Sequence, residues 1–148
     1  MKYFKLESDV PYYNSMLKNP NYFKKDKGKK CKIVYMSPDQ YMKEVAKQQK
    51  TSMMFQYEVP VMQSKLQRIR DYIKAGNKLP LLYIENTEHC HTQEGRHRAI
   101  VAKELGLKKI PVLVVTEMSV PEWESFMKKN YPEVWKYMSW KNQTSPQP

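Results

Sequence analysis

The stretch that decides the fold runs from residue 94 to residue 115 and reads EGRHRAIVAKELGLKKIPVLVV. Its first part places apolar residues at helical spacing after Gly95 and stops at Gly106, which predicts one short helix. Its second part, Ile110 to Val115, is aliphatic at every position except Pro111, as in a buried strand. A strand is also expected to lead into Gly95. The segment therefore predicts a strand–glycine–helix–strand unit.

The regions before this unit extend the same pattern. Residues 79–84 are expected to form a strand, and residues 85–94 a turn with a second short strand, paired as a hairpin. An apolar stripe of one helix precedes them and ends at Gly76-Asn77. The residues of the stripe are Met62, Leu66, Ile69 and Ile73.

The first half of the chain is less regular. Residues 33–36 are β-rich, and Ser37 and Pro38 are typical of a helix start, with Gln40 completing a capping box. Residues 51–60 are expected to be a loop or short strand, and residues 1–32 show no sustained period.

Beyond the quoted stretch, a capping box of Ser119 and Glu122 predicts a helix, and Pro132 opens another. We divide the chain into a basic N-terminal segment (1–32), a core (33–116), a helical extension (117–140) and a disordered tail (141–148). The expected fold class is α/β (α+β), a small mixed sheet with surrounding helices.

Composition excludes several classes of protein. The chain has 148 residues, enough for one domain, and only two cysteines, so a disulfide framework is not expected. No apolar run approaches the roughly 20 residues that cross a bilayer, and the first residues lack a signal-peptide pattern. We expect a cytoplasmic protein with no membrane partner; the sequence leaves its oligomeric state open.

Charge points to anionic partners. The 26 Lys and Arg residues outnumber 15 acids, giving a net charge of +11, which favours nucleic acid or nucleotides. The arginines are few, yet Arg96 and Arg98 lie beside all three histidines, His89, His91 and His97. A chain poor in both residue types that gathers them within residues 89–98 is expected to hold a site there.

The helix start at Gly95 supports an anion site. A helix N-terminus presents free backbone N–H groups and attracts anions, whereas cations such as Arg96 and Arg98 are disfavoured there unless an anion lies among them. The alternative is structural: the arginines form ion pairs with Glu94 or Glu104. His97 is either a phosphate-binding or acid–base group or a structural histidine, and Glu94 either holds Mg²⁺ or activates a nucleophile, or is an exposed turn carboxylate.

The stretch also resembles a known family. The sequences Glu94-Gly95-Arg96-His97-Arg98-Ala99, Ala102 to Gly106, and Ile110-Pro111-Val112 are similar to the ParB/sulfiredoxin superfamily. That superfamily shares a Gly-x-(Arg/His)-Arg box, then a helix and an Ile-Pro-Val strand. The resemblance covers roughly residues 33–116.

The resemblance implies a nucleotide site. In that superfamily the box cradles nucleotide phosphates, so Gly95 would allow close phosphate approach, and Arg96, His97 and Arg98 would contact phosphate oxygens. The implied cofactor is a nucleoside triphosphate, ATP or CTP, with Mg²⁺. Glu58 stands where some relatives place an acid near the nucleotide; the alternative is an ordinary solvated carboxylate. The candidate catalytic residues are Glu94, His97 and Glu58.

The sequence also departs from the family. Arg96 stands where sulfiredoxins carry their catalytic cysteine, and Cys90 is too far from Gly95 to replace it. We therefore do not expect sulfinic acid reductase activity. The chain also lacks the acid after the glycine and the helix-turn-helix region of partition proteins. The resemblance is to a stand-alone ParB-like module, a type that also occurs on phages and plasmids.

Two further groups of residues are candidates. A lysine cluster around Gly28 is either a solvated loop or a nucleic-acid contact; its members are Lys24, Lys25, Lys27, Lys29, Lys30 and Lys32. The pair His89 and His91 is a weak candidate for a metal site, since no third ligand stands at typical spacing.

We expect a domain that binds a nucleoside phosphate at the box, Gly95 to Arg98, linked to DNA binding or processing. One alternative is an enzyme: a nucleotide-dependent phosphotransferase, NTPase or nuclease. The other is a non-catalytic basic DNA-binding module.

Overall fold

The computed structural model describes residues 2–18, 21–24, 27–88 and 90–136, and for residues 21–24 and 27 it describes the backbone alone. The helices in this part of the chain are α1 (Pro11–Lys18), α2 (Pro38–Gln49), α3 (Met53–Glu58), α4 (Gln63–Lys74), α5 (Arg96–Glu104) and α6 (Val120–Asn130). The strands are β1 (Asn21–Lys24), β2 (Lys27–Met36), β3 (Leu82–Thr87), β4 (Cys90–Glu94) and β5 (Ile110–Glu117). Residues 132–136 are also helical.

The strands form one mixed sheet in the order β1-β2-β5-β3-β4. The central pair, β3 and β5, is parallel, and β4 with α5 connects them. The other pairs are antiparallel. The expected fold class, a small mixed sheet with surrounding helices, is confirmed.

Helices cover both faces of the sheet, because alternate residues of a strand point to opposite sides. On β5, Ile110 and Val112 belong to the core cluster that includes residues of α2 and α5. Leu113 and Val115 belong to a second cluster with Met16 of α1. The sheet therefore lies between α1 on one side and α2 with α5 on the other, and both faces are apolar.

Most of the predicted elements are confirmed. Ser37 caps α2 by accepting the backbone N–H of Gln40 at 3.0 Å, but the side chain of Gln40 donates to Glu44, so the predicted capping box is only half formed. The predicted stripe lies on α4, except that Met62 is its exposed N-cap. The hairpin of β3 and β4 and the helix α5 form, but β3 covers residues 82–87 rather than the expected 79–84. Ser119 and Glu122 make the expected capping box at the start of α6.

Residues 51–60 correct the sequence interpretation, because residues 53–58 are the helix α3 rather than a loop or strand. Ser52 caps this helix by accepting the N–H of Phe55 at 3.1 Å. Gln56 is fully buried and donates to Gln49 and Thr51, each at 2.7 Å. Since the side chain that fixes this helix is polar, apolar periodicity did not reveal it.

The lysine-rich region also differs from its expected structure. The strand β2 begins at Lys27 rather than at residue 33, and it pairs with β5 from Lys29 opposite Glu117 to Met36 opposite Ile110. A Cβ at Gly28 would overlap the Trp123 ring, so the glycine lets α6 pack there. The solvated-loop interpretation of this region is therefore wrong for residues 27–32. Strand pairing makes a strand of a lysine-rich sequence.

The tail 141–148 and the last residues of the helical extension, 137–140, lie outside the described residues. None of the helices in the described ranges is long and apolar enough to cross a bilayer.

The buried strand β5 generates a test of the core. Leu113 is fully buried, so Leu113→Ala is expected to lower the free energy of unfolding by about 2–5 kcal/mol. Val120 is 69% exposed, and Val120→Ala is expected to change it by less than about 0.5 kcal/mol. Urea unfolding followed by circular dichroism measures both; equal effects would contradict the assignment of β5 to the core.

Candidate functional site: a cationic cavity at the start of α5

A cavity of about 640 Å³ lies where the box meets α4. The box residues Gly95 to Arg98 form one part of its wall, together with Gln93 and Glu94 of β4. The remaining residues come from α4 and from segments before α1, α4 and β3: Asp9, Pro60, Lys65, Arg68, Ile69, Tyr72, Leu79 and Pro80. The fold thus brings the predicted box to a concave surface.

One face of α4 supplies half of the remaining wall. Lys65, Arg68, Ile69 and Tyr72 are spaced by three, one and three residues, so they share one face of the helix. Lys65, Arg68 and Tyr72 were not predicted as site residues from the sequence. Each of the three directly precedes a residue of the apolar stripe, so they lie on the side of the helix next to the buried stripe. That side borders the cavity, and this position in the sequence could have indicated them.

The N-terminus of α5 opens on the cavity. Gly95 is the N-cap and no side chain caps the helix. The first backbone hydrogen bond of the helix runs from Ala99 N–H to Gly95 O at 3.0 Å. The N–H groups of Arg96, His97 and Arg98 therefore have no acceptor within the helix, and they carry the positive end of its dipole.

Packing against the core requires a glycine at position 95. Its φ of +129° is a conformation that L residues rarely adopt, and a Cβ there would lie 2.5 Å from Cγ of Leu82. Because Leu82 belongs to the main core cluster, it has little room to move. The close approach of phosphate that the resemblance implies at Gly95 stays a prediction, and the core supplies a separate reason for this glycine.

Arg96 is a buried arginine whose Nε–H has no partner. The residue is 8% exposed, and its Nη2 donates to the backbone oxygen of Pro60. Its Nε is buried and has no hydrogen-bond partner. Burial lowers the pKa of this guanidinium from its usual value. A buried cation with an unused donor is costly unless an anion or water reaches it.

His97 is held as a neutral ring. Its Nε2 accepts the backbone N–H of Met62 at 3.1 Å, which places the ring proton on Nδ1. Burial lowers the pKa of His97, and the charges of Lys65 and Arg96 lower it further. Arg96 and His97 together attach residues 60–62 to α5, so both box residues also position one wall of the cavity.

Arg98 forms an ion pair with Glu94. Its Nη1 and Nη2 donate to the two carboxylate oxygens of Glu94 at 2.7 and 2.6 Å, and Nη2 also donates to Leu81 O at 2.9 Å. Of the two acids that the sequence analysis considered as ion-pair partners, Glu94 pairs with Arg98, whereas Glu104 pairs with Arg70 of α4.

Glu58 and His91 lie apart from the cavity. Glu58 is exposed at the end of α3 and does not line the cavity. His91 is exposed on β4, and His89 lies outside the described residues. Within the described part of the chain no three His, Cys, Asp or Glu residues are grouped as metal ligands.

The candidate lysines occupy different environments. Lys29 forms an ion pair with the buried Glu85, and Lys30 pairs with Glu122 of α6 at 2.6 Å. Lys32 is exposed on β2. Lys24 and Lys27 are described by their backbone only, and Lys25 lies outside the described residues.

No protein-family model, curated protein or solved structure matches this chain. The likeness to the ParB/sulfiredoxin superfamily stays a prediction carried by the residues of the box.

Gly95 can be tested against a second glycine of the chain. Gly95→Ala is expected to lower the free energy of unfolding by about 3 kcal/mol, since it adds both a strained φ and an overlap with Leu82. Gly76 has a φ of +87° but open space around it, so Gly76→Ala is expected to cost about 1 kcal/mol. Urea unfolding measures both. Equal losses would show that Leu82 does not restrict residue 95.

His97 predicts a dependence of stability on pH. The unfolded chain binds a proton at this side chain below the ordinary pKa of 6.5, before the folded chain does. The free energy of unfolding is therefore expected to fall as the pH drops below 6.5, down to the lower folded pKa. His97→Gln removes this titration, so the two proteins should differ more in stability near neutrality than in mild acid. Urea unfolding over that range measures it, and parallel curves would contradict the assignment.

Proposed function

We propose that this protein is a ParB/sulfiredoxin-like module that binds the phosphate groups of a nucleoside phosphate in the cavity at the start of α5. The observation that carries the proposal is the wall of the cavity, where Lys65 and Arg68 of α4 stand beside the uncapped start of α5. Phosphate oxygens accept hydrogen bonds from cationic side chains and from the free N–H groups at a helix N-terminus.

The charges around the cavity support an anionic ligand. Two acids line it, and each is paired: Asp9 with Lys5 at 3.4 Å, and Glu94 with Arg98. Lys65 and Arg68 line it too, and neither has an acidic partner among the described residues. The cavity therefore keeps uncompensated positive charge on α4, facing the wall that holds the start of α5.

The size and the apolar part of the wall suit a nucleoside. Small-molecule sites commonly measure about 300–1,000 Å³, and this cavity measures about 640 Å³. Ile69 and Leu79 give it apolar surface, and the half-exposed Tyr72 adds an aromatic ring. An aromatic ring of this kind can stack on a nucleobase while the cations hold the phosphates.

The residues present fit a nucleoside triphosphate with Mg²⁺ only in part. Cations and the helix start fit the phosphates, but the two carboxylates that line the cavity are already paired with cations. Mg²⁺ would therefore be held mainly by phosphate oxygens and would enter with the nucleotide. Its role there would be to neutralise phosphate charge.

Binding is better supported than turnover. A phosphotransferase, NTPase or nuclease needs a group that accepts a proton or holds metal at the reacting phosphate. Of the three candidates, Glu58 lies apart from the cavity, Glu94 is paired with Arg98, and Nε2 of His97 already accepts the Met62 N–H. The candidate catalytic roles thus have less support than the phosphate-binding roles of the box.

A second candidate function is DNA binding, alone or linked to the nucleotide. The net charge of +11 and the exposed Lys32 favour it, and a DNA backbone offers the same phosphate groups to the cavity. A basic module of this kind binds without turnover.

The proposal predicts a nucleotide-dependent thermal shift. Ligand at 100 times its Kd stabilises a protein by about 2.7 kcal/mol, which raises the Tm by several degrees. We expect this shift in the wild type with one or more of ATP, ADP, CTP and GTP plus Mg²⁺, and a loss of at least about tenfold in affinity in Arg68→Gln.

Lys74→Gln is the matched control, since Lys74 ends the same helix and carries the same charge but does not line the cavity. The control should keep most of the affinity. Absence of any nucleotide shift in the wild type would refute the nucleotide proposal.

The DNA alternative has its own signature. Binding of a DNA duplex, followed by fluorescence anisotropy, should weaken steeply and log-linearly with salt concentration. If the cavity grips a DNA phosphate, Arg68→Gln reduces the slope and excess ATP competes. An unchanged slope would assign DNA binding to another surface.

A further inference from the structure

The pair of Glu94 and Arg98 bears on how tightly any anion binds at the box. A guanidinium presents two parallel N–H donors, and a carboxylate or a phosphate fills them in the same way. Glu94 fills this pair of donors in Arg98 with both of its oxygens, at 2.7 and 2.6 Å. An anion and Glu94 therefore cannot use the same edge of Arg98 at once.

The two partners differ in their freedom to move. The side chain of Arg98 is 12% exposed and is also tied to Leu81 O, whereas the side chain of Glu94 is 41% exposed. Glu94 can turn into solvent and be hydrated, while Arg98 stays in the cavity wall. The pair also leaves the buried Nε of Arg98 without a partner, so Glu94 satisfies this guanidinium incompletely.

We propose that Glu94 is an internal competitor for the anion, which occupies Arg98 in the empty cavity and is displaced when a phosphate group binds. The inference rests on the proposed phosphate site and adds a regulatory residue to it. In the empty state the carboxylate offsets part of the charge of Arg68, Arg96 and Arg98. In the bound state the ligand takes its place, so the affinity measured is lower than the cavity alone would give.

A competing Glu94 and a Glu94 that holds Mg²⁺ or takes part in catalysis have opposite effects on the affinity for the ligand. A residue that holds the ligand or its metal weakens binding when it is neutralised. A competing residue strengthens binding when it is neutralised. The effect of Glu94→Gln on affinity separates the two.

The test measures the affinity for inorganic pyrophosphate, and for ATP with Mg²⁺, by isothermal titration calorimetry on the full chain. We expect Glu94→Gln to bind pyrophosphate about tenfold more tightly than the wild type, because a neutral amide competes far less for a guanidinium. In the Glu94→Gln background, a further Arg98→Gln change should remove this gain.

Glu104→Gln is the matched control. It removes one negative charge from α5, the helix that carries Arg98, and breaks the equivalent pair with Arg70, but neither Glu104 nor Arg70 lines the cavity. Its affinity should stay within about twofold of the wild type, since exposed charges at a distance are screened. An equal gain in Glu104→Gln would overturn the inference and leave only a general effect of charge.

Each remaining outcome also bears on the inference or on the proposed function. If Glu94→Gln binds no more tightly than the wild type, Glu94 does not compete, and ATP binding that depends on Arg68 would then leave the proposed function standing. If neither protein binds an anion, the proposed function fails as well. Should Glu94→Gln not fold, as judged by circular dichroism, Glu94→Asp shortens the carboxylate by one methylene and is expected to show a smaller gain.

Discussion

The contact between the backbone of Gly95 and the side chain of Leu82 is the constraint on which the site depends. Leu82 lies opposite Val112 in the parallel pair of β3 and β5, in the main core cluster. Gly95 directly follows β4 and is the N-cap of α5, with a φ of +129°. Because no side chain intervenes, α5 starts directly against the sheet, and its first residues, Arg96 to Arg98, line the cavity.

From this contact the geometry of the cavity follows. Arg96 and His97 lie in the first turn of α5 and hold residues 60–62 through Pro60 O and the Met62 N–H. Arg70 and Glu104 join α4 to α5 by two hydrogen bonds, at 2.9 and 2.6 Å. These contacts fix the two helices that line the cavity, and they leave Lys65, Arg68 and Tyr72 on its wall. The box thus acts as a structural junction and as the proposed phosphate site.

The electrostatics of the cavity explain how the fold tolerates so many cations at one place. Arg98 is neutralised by Glu94, His97 is neutral, and Arg96 is partly satisfied by a carbonyl. Lys65 and Arg68 stand on the more exposed face of α4, where water reduces their mutual repulsion. The fold thus tolerates these charges when the cavity is empty, as reversible binding of a phosphate group, the proposed function, requires.

The sequence by itself determined the elements with strong local signals. Capping residues placed α2 and α6, the aliphatic run placed β5, and Gly95 with its charged neighbours marked the box. The predictions from sequence were wrong where contacts between distant residues, rather than the local pattern, determine the secondary structure. Buried Gln56 fixes α3 through polar bonds, and pairing with β5 makes a strand of the lysine-rich residues from Lys27.

Only the tertiary structure decided which charges meet. Lys65 and Arg68 join the box because α4 packs beside α5, and a residue's distance along the chain gives no measure of its distance in space. Likewise, Glu94 pairs with Arg98 and Glu104 pairs with Arg70 because the fold places these residues next to each other. The local sequence pattern reflects the conformational preferences of residues that are close along the chain. Which residues form a site depends on contacts between residues that are distant along the chain, and only tertiary packing creates those contacts.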